Sequence, residues 1–189
     1  MPRIRLIITD FDGTLVDTFR ANCMAYQNAF QSIGKSLSEE EYKACFGLRF
    51  DDFMRQMGIT DTETARQIRA RKSEIYPRYF GHLAVNRPLL DFIRSMRCQN
   101  VLTAIASTAR RGNLLNALSH IGAQADFDLI LAGEDVVRGK PSPQIYQTVM
   151  AHFGVTPEQT LIFEDSPSGC QAADAAQAGY MIIKQIQTQ

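Results

Sequence analysis

Short apolar runs alternate with helical patterns along most of the chain. The apolar runs, which are rich in Ile, Val, Leu and Phe, occupy residues 4–9, 101–106, about 127–132, 160–164 and 180–184. Such continuous runs are typical of strands buried on both faces, as in a parallel sheet. Helical spacing fills most of the segments between them, at about 88–98, 110–121, 143–153 and 167–178. The alternation predicts an α/β core with a Rossmann-like, doubly wound parallel sheet.

One connection is far too long for a single strand–helix unit. Between Asp17 and about Asn86 there is no convincing strand pattern, whereas helical segments recur. One segment ends at Gly34, and a second starts at an N-cap at Ser38. A third covers 51–57, and a fourth runs from Asp61 to about Tyr79. We therefore expect a small α-helical cap at residues 17–83, inserted after the first strand, and a core formed by residues 1–16 and 84–189.

Composition adds mainly exclusions. The chain has 189 residues, of which 45% are hydrophobic and 21% charged, with 20 basic and 20 acidic side chains. This balance gives no indication of a nucleic-acid partner, and no apolar run approaches the roughly 18 residues that a membrane span needs. Four scattered cysteines without a C-x-x-C pair, and no signal-peptide pattern, favour a cytoplasmic protein. A monomer is the default expectation.

Polar side chains with chemical potential follow the predicted strands. The four clusters are Asp10, Asp12 and Thr14; Ser107; Lys140; and Glu164 with Asp165. Taken singly, each has an ordinary structural interpretation, such as a turn, a helix N-cap or a solvated lysine. If the sheet is parallel, however, all four clusters meet at its carboxyl edge, where the ligand sites of open α/β sheets lie.

The joint placement favours phosphoryl transfer. Carboxylates gathered at one edge repel one another without a cation, and their hard oxygen atoms suit Mg²⁺. The ammonium of Lys140 and hydroxyls such as those of Thr14 and Ser107 would suit a phosphate group. Asp10 and Asp12 provide one carboxylate to attack phosphorus and a second acid to protonate the leaving group and later to deprotonate water.

These motifs resemble those of the haloacid dehalogenase-like hydrolase superfamily, in its branch with a helical cap after the first strand. Asp10-Phe-Asp12-Gly-Thr-Leu-Val-Asp17 resembles the first motif, and Ser107 stands at the position of the second. Gly139-Lys140-Pro141 resembles the third motif, and Glu164-Asp165-Ser-Pro-Ser-Gly169 the fourth. The similarity extends over essentially the whole chain.

The resemblance implies a role for each matching residue. Asp10 would be the nucleophile and a metal ligand, and Asp12 the acid/base, with its backbone carbonyl on Mg²⁺. Asp165 would be the remaining protein ligand, and Glu164 would lie close to the metal or bind it directly. Since a halide leaves without a proton, the presence of Asp12 also favours phosphate ester hydrolysis over dehalogenation.

Within this branch, the reaction is left open between two alternatives. The leading hypothesis is a Mg²⁺-dependent phosphatase that hydrolyses a small phosphorylated metabolite through an aspartyl-phosphate. The alternative is a sugar-phosphate mutase similar to β-phosphoglucomutase, which typically carries a histidine where this chain has Asn22. A non-catalytic relative is disfavoured because all the motif residues are present.

Two departures from the family pattern concern other regions. Arg49 replaces a common proline in a cap loop, where it would either bind a second anionic group of the substrate or cover the cap surface. The chain ends at Gln189, soon after the fifth predicted strand, whereas relatives usually continue with another strand and helix. The last edge of the sheet is therefore left open by the sequence.

Overall fold

A computed structural model describes residues 3–184 of the chain in two compact units. One unit comprises residues 3–17 and 84–184, and the other comprises Thr18–Leu83. Residues 1–2 and 185–189 of the predicted core, and with them the question of how the chain continues after its last strand, lie outside the described residues. The two units are described separately.

A five-stranded parallel sheet forms the centre of the first unit. Its strands are β1 (Leu6–Thr9), β4 (Leu102–Ala106), β5 (Leu129–Leu131), β6 (Thr160–Glu164) and β7 (Gly179–Ile182). They are ordered β5-β4-β1-β6-β7, so that β1 lies in the middle and pairs with β4 on one side and β6 on the other. The predicted fold class, a Rossmann-like α/β core with a parallel sheet, is confirmed.

Helices cover both faces of this sheet. They are α5 (Arg87–Cys98), α6 (Arg111–His120), α7 (Gln144–Phe153) and α8 (Pro167–Ala175). On one face, Leu6 and Ile8 of β1 join a buried cluster with apolar residues of α7 and α8. On the other face, α5 packs against β4, and its Phe92 ring lies 5.8 Å from the ring of Phe163. Burial of both faces explains why the central strands β1, β4 and β6 are apolar at successive positions.

The second unit is built from helices. They are α1 (Phe19–Gln31), α2 (Glu39–Cys45), α3 (Phe50–Gln56), α4 (Thr62–Ile75) and a 3₁₀ helix (Tyr76–His82). The ring of Tyr42 lies 5.4–5.9 Å from those of four other aromatic residues, Phe19, Tyr26, Phe46 and Phe53. As expected from the sequence, Ser38 caps α2, in a reciprocal capping box with Glu41.

Two local features differ from the sequence-based expectation. The predicted helix from Asp61 to about Tyr79 changes at Tyr76 into a 3₁₀ helix with Pro77 near its start, since proline cannot continue the α-helical hydrogen bonds. Two-residue strands, β2 (Val16–Asp17) and β3 (Ala84–Val85), pair antiparallel where no strand was expected. The structure thus places Asp17 in the first unit.

None of the helices within residues 3–184 is both long and apolar enough to cross a membrane.

Candidate active site

Strand register brings three of the polar clusters to the same edge of the sheet. Thr9 pairs with Ile105 of β4 and with Phe163 of β6, so the residues that follow them are neighbours. The amide of Asp10 donates to the carbonyl of Phe163 at 2.9 Å. Asp10 therefore lies beside Glu164, the last residue of β6.

A tight turn after β1 returns the first motif to this edge. Gly13 has φ +92°, a left-handed conformation that favours glycine, and its amide donates to the carbonyl of Val16. The turn carries Thr14, whose hydroxyl donates to Asp165 Oδ1 at 2.9 Å. Thr14 therefore joins the first motif to the fourth and helps to orient the Asp165 carboxylate.

Lys140 lies between two acidic side chains. Its Nζ is 2.5 Å from Asp10 Oδ1 and 2.5 Å from Glu164 Oε1. All three residues are buried, with exposed fractions of 8% for Lys140, 7% for Asp10 and 0% for Glu164. A buried ammonium between two carboxylates is held firmly, because breaking either contact would leave a buried charge without its partner.

Glu164 is saturated with hydrogen-bond donors. Oε1 accepts from Lys140 Nζ and from the Tyr146 hydroxyl at 2.7 Å. Oε2 accepts from the amides of Asp165 and Ser166 and from the Ser166 hydroxyl, at 3.0–3.1 Å. A Cβ added at Gly169 would lie 1.8 Å from Oε1, so this carboxylate occupies space that only glycine leaves free.

Ser107 lies close to Asp12. The Ser107 hydroxyl is 3.5 Å from Asp12 Oδ2, at the long limit of a hydrogen bond, and accepts from the amide of Ala109 at 3.0 Å. Asp12 is partly exposed, whereas Ser107 is buried. The second motif therefore lies next to the predicted acid/base.

Burial and charge shift the pKa values of the site in opposite directions. Burial raises the pKa of Asp10 well above its usual value, against the lowering effect of Lys140. Burial likewise raises the pKa of Asp165 to about 6. For Glu164, burial is outweighed by Lys140 and by the hydrogen bonds from Lys140 and Tyr146, so its pKa is lowered. Glu164 is therefore the carboxylate that the protein itself neutralises most completely.

The structure brings together most of the residues predicted from the sequence. The first unit holds Asp10, Asp12, Thr14, Ser107, Lys140, Glu164 and Asp165 at one sheet edge, linked by the contacts above. Arg49 belongs to the second unit, where it is exposed at the start of α3. Tyr146 was not predicted, because an aromatic residue in an apolar helix has an ordinary structural explanation. Gly169 belongs to the fourth motif, but the sequence assigns it no role.

The donor set suits a hard cation. Within residues 3–184, no group of three or more His, Cys, Asp or Glu side chains is arranged to hold a metal ion. The donors that the resemblance implies are two carboxylates, of Asp10 and Asp165, and the backbone carbonyl of Asp12, which is not a three-acid cluster. Such oxygen ligands match the preference of Mg²⁺.

Comparison with known proteins identifies the family. The family model described as haloacid dehalogenase-like hydrolase matches residues 7–183. The chain belongs to this family. A phosphorylated carbohydrates phosphatase of Thermotoga maritima is 30% identical over 178 residues, which cover 90% of this chain and 80% of the relative. Protein CbbY of Cereibacter sphaeroides is 30% identical over 186 residues, 92% of this chain and 81% of the relative.

A solved structure shares the fold. CbbY from Rhodobacter sphaeroides in complex with phosphate matches with a TM-score of 0.88 at 24% identity, covering 98% of this chain and 89% of that chain. The predicted family and the predicted enzyme class, a haloacid dehalogenase-like phosphatase, are confirmed by the family model and by the Thermotoga maritima relative. Phosphatases of this family generally use a divalent metal ion.

Proposed function

We propose that the protein is a Mg²⁺-dependent phosphatase that hydrolyses a small phosphorylated metabolite through an aspartyl-phosphate intermediate on Asp10. The observation that carries the proposal is the contact of Lys140 Nζ with Asp10 Oδ1, at an edge that also holds Asp12 and Asp165. This arrangement places a buried carboxylate, an ammonium and a second, more exposed acid together, as in-line transfer of a phosphoryl group requires.

The charge of the site supports a divalent cation. Asp10, Asp12, Glu164 and Asp165 share one ammonium, and Glu164 already receives five hydrogen bonds. Asp10 and Asp165, both with raised pKa values, are left with fewer donors and would hold the metal together with the carbonyl of Asp12. When bound, Mg²⁺ would offset the charge of the phosphate and of the attacking carboxylate.

The first step is attack by Asp10. A carboxylate oxygen forms a bond to phosphorus while the bond to the ester oxygen breaks. The repulsion that opposes this attack is about 4 kcal/mol per charge pair at 4 Å with an effective dielectric near 20. Lys140 reduces this repulsion, because its ammonium lies against Asp10. Asp12 gives a proton to the departing alkoxide, which leaves as an alcohol.

The second step returns the enzyme to its starting state. Asp12, now ionised, takes a proton from a water molecule, and the resulting hydroxide attacks the phosphorus of the aspartyl-phosphate. The phosphorus–Asp10 bond breaks, inorganic phosphate is released, and both acids regain their initial protonation. Ser107 and Thr14 support this geometry through their contacts with Asp12 and Asp165.

The relatives support a phosphorylated carbohydrate as the substrate class. The Thermotoga maritima relative is named for phosphorylated carbohydrates, and it aligns with 90% of this chain. The mutase alternative is not favoured, since Asn22 stands where mutases carry a histidine. We propose the helical unit, including the exposed Arg49, as the part that selects the substrate.

Turnover of p-nitrophenyl phosphate and of a panel of sugar phosphates tests the proposal. We expect release of inorganic phosphate that depends on Mg²⁺, stops with EDTA and falls at least about 10³-fold in Asp10→Asn. Asp174→Asn, which changes an exposed aspartate of α8, is the matched control and should keep full activity. Unchanged turnover in Asp10→Asn would show that another residue is the nucleophile, and interconversion of sugar phosphates without phosphate release would show a mutase.

A further inference from the structure

Tyr146 contacts Glu164 and Lys140 from the protein interior. It lies in α7 and is fully buried. Its hydroxyl donates to Glu164 Oε1 at 2.7 Å, and the centroid of its ring lies 5.2 Å from Lys140 Nζ. With no exposed surface, Tyr146 cannot touch a substrate, so any influence on the reaction must pass through Glu164 and Lys140.

The hydroxyl and Lys140 donate to the same carboxylate oxygen. Oε1 of Glu164 accepts from both Tyr146 and Lys140, whereas Oε2 is occupied by the amides and hydroxyl of the following turn. Glu164 is thus already partly neutralised when Lys140 approaches it. Because the ammonium is shared between two carboxylates, a donor that satisfies Glu164 leaves more of its charge available to Asp10.

The protonation of Tyr146 is consistent with this role. Burial, together with the charges of Glu164 and Asp10, raises its pKa well above the usual value, against the effect of Lys140. The phenol therefore remains a hydrogen-bond donor throughout the neutral pH range.

We propose that Tyr146 is a positioning residue, whose hydroxyl fixes Glu164 and so holds the Lys140 ammonium against the nucleophile Asp10. The inference rests on the proposed function for its effect on turnover. Its structural part, the control of Lys140 by Tyr146, is independent of any substrate.

Tyr146→Phe isolates the hydroxyl, because phenylalanine keeps the ring against Lys140. We expect kcat to fall about tenfold and KM to stay within about twofold, the effect of losing one hydrogen bond to a charged group in the transition state. The inhibition constant of orthovanadate, which mimics five-coordinate phosphorus, should rise by a similar factor, while that of inorganic phosphate changes little. Tyr180→Phe removes a more peripheral hydroxyl that donates to Asp174, and should alter none of these values.

A spectroscopic measurement separates the two proposals. In protein with ¹⁵N-labelled lysine, the Nζ signal of Lys140, assigned by its loss in Lys140→Arg, should shift in Tyr146→Phe and stay in place in Tyr180→Phe. A shifted signal in an enzyme that hydrolyses no phosphate ester would support the positioning role and contradict the proposed function. An active enzyme whose kcat and Lys140 signal are unchanged by Tyr146→Phe would overturn the positioning role. A loss of kcat that only follows a loss of folded protein, measured by thermal unfolding, would also overturn it.

Discussion

At the scale of single residues, the four acids of the site differ in how far the protein compensates their charge. Glu164 receives five hydrogen bonds, whereas the hydrogen bond that reaches Asp165 from the first motif is the one from Thr14. The pKa of Glu164 is lowered, and burial raises that of Asp165 to about 6. The protein thus compensates the charge of Glu164 by itself. The buried charge of Asp165 is unfavourable, and a bound cation would compensate it.

The raised pKa of Asp165 predicts a pH-dependent stability in metal-free protein. In the folded state the Asp165 carboxyl stays protonated up to about pH 6. In the unfolded chain it loses its proton near its ordinary pKa of 3.8. The contribution of this group to stability is therefore full below about pH 4 and is lost as the pH rises through 6. With EDTA present, urea unfolding of the wild type should show this decline, and Asp165→Asn should show a shallower one. A decline of equal steepness in both proteins would contradict the raised pKa, and Asp174→Asn serves as the control.

The sequence predicts these acids better than it predicts their supporting residues. Asp10, Asp12 and Asp165 could be located because they follow apolar strand runs, and parallel strands bring such positions to one edge. Tyr146 could not be located in this way, because its helical spacing is that of any core residue. Its role depends on the hydrogen bond from its hydroxyl to Glu164, which becomes visible only when α7 is placed in the fold.

At the scale of secondary-structure elements, α8 depends on a glycine for its approach to β6. Gly169 lies in the first turn of α8, buried against the carboxylate of Glu164. The carboxylate of Glu164 is at the end of a flexible side chain. Its five hydrogen bonds and its complete burial nevertheless restrict its movement. The first turn of α8 therefore packs directly against the carboxylate that binds Lys140.

Replacement of Gly169 by alanine should lower the stability of the protein, although alanine has a higher helix propensity than glycine. We expect Gly169→Ala to lower the free energy of unfolding by about 1–3 kcal/mol through overpacking, and to reduce turnover because Glu164 must move. Gly112→Ala is the matched control, since Gly112 is exposed in α6 with no atom near an added Cβ, and it should gain about 0.5–1 kcal/mol. Urea unfolding followed by circular dichroism measures both changes. Equal stabilisation of the two variants would show that Glu164 has room to move.

The boundaries of the elements show what periodicity reveals and what it misses. The five core strands and the four core helices lie where their apolar patterns predict them, and burial explains the pattern of the central strands β1, β4 and β6. The sequence does not predict β2 and β3, because two residues are too few to show a periodic hydrophobic pattern. They are nevertheless the elements that join the first unit to the inserted segment.

At the scale of the whole molecule, the inserted helices begin and end at neighbouring positions. Asp17 of β2 pairs with Ala84 of β3, and Val16 pairs with Val85, so the chain leaves and re-enters the first unit at one place. The helical unit has its own apolar core around Phe30 and Phe53. An insertion with paired ends and a separate core is compatible with removal without a break in the sheet.

Removal of residues 18–83 tests whether the first unit is an independent domain. An Asn-Gly dipeptide between Asp17 and Ala84 would close the antiparallel pair as a two-residue hairpin, since these residues suit the type I′ turn. We expect the shortened chain to unfold cooperatively and to gain thermal stability from Mg²⁺, because the proposed ligands Asp10 and Asp165 remain. Its turnover should fall, and its discrimination among sugar phosphates should be lost, if the removed helices select the substrate. The same shortened chain with Asp10→Asn is the control and should fold equally well without turnover. A shortened chain that aggregates or unfolds without cooperativity would show that the two units depend on each other, whereas one that keeps full discrimination would place substrate selection in the first unit.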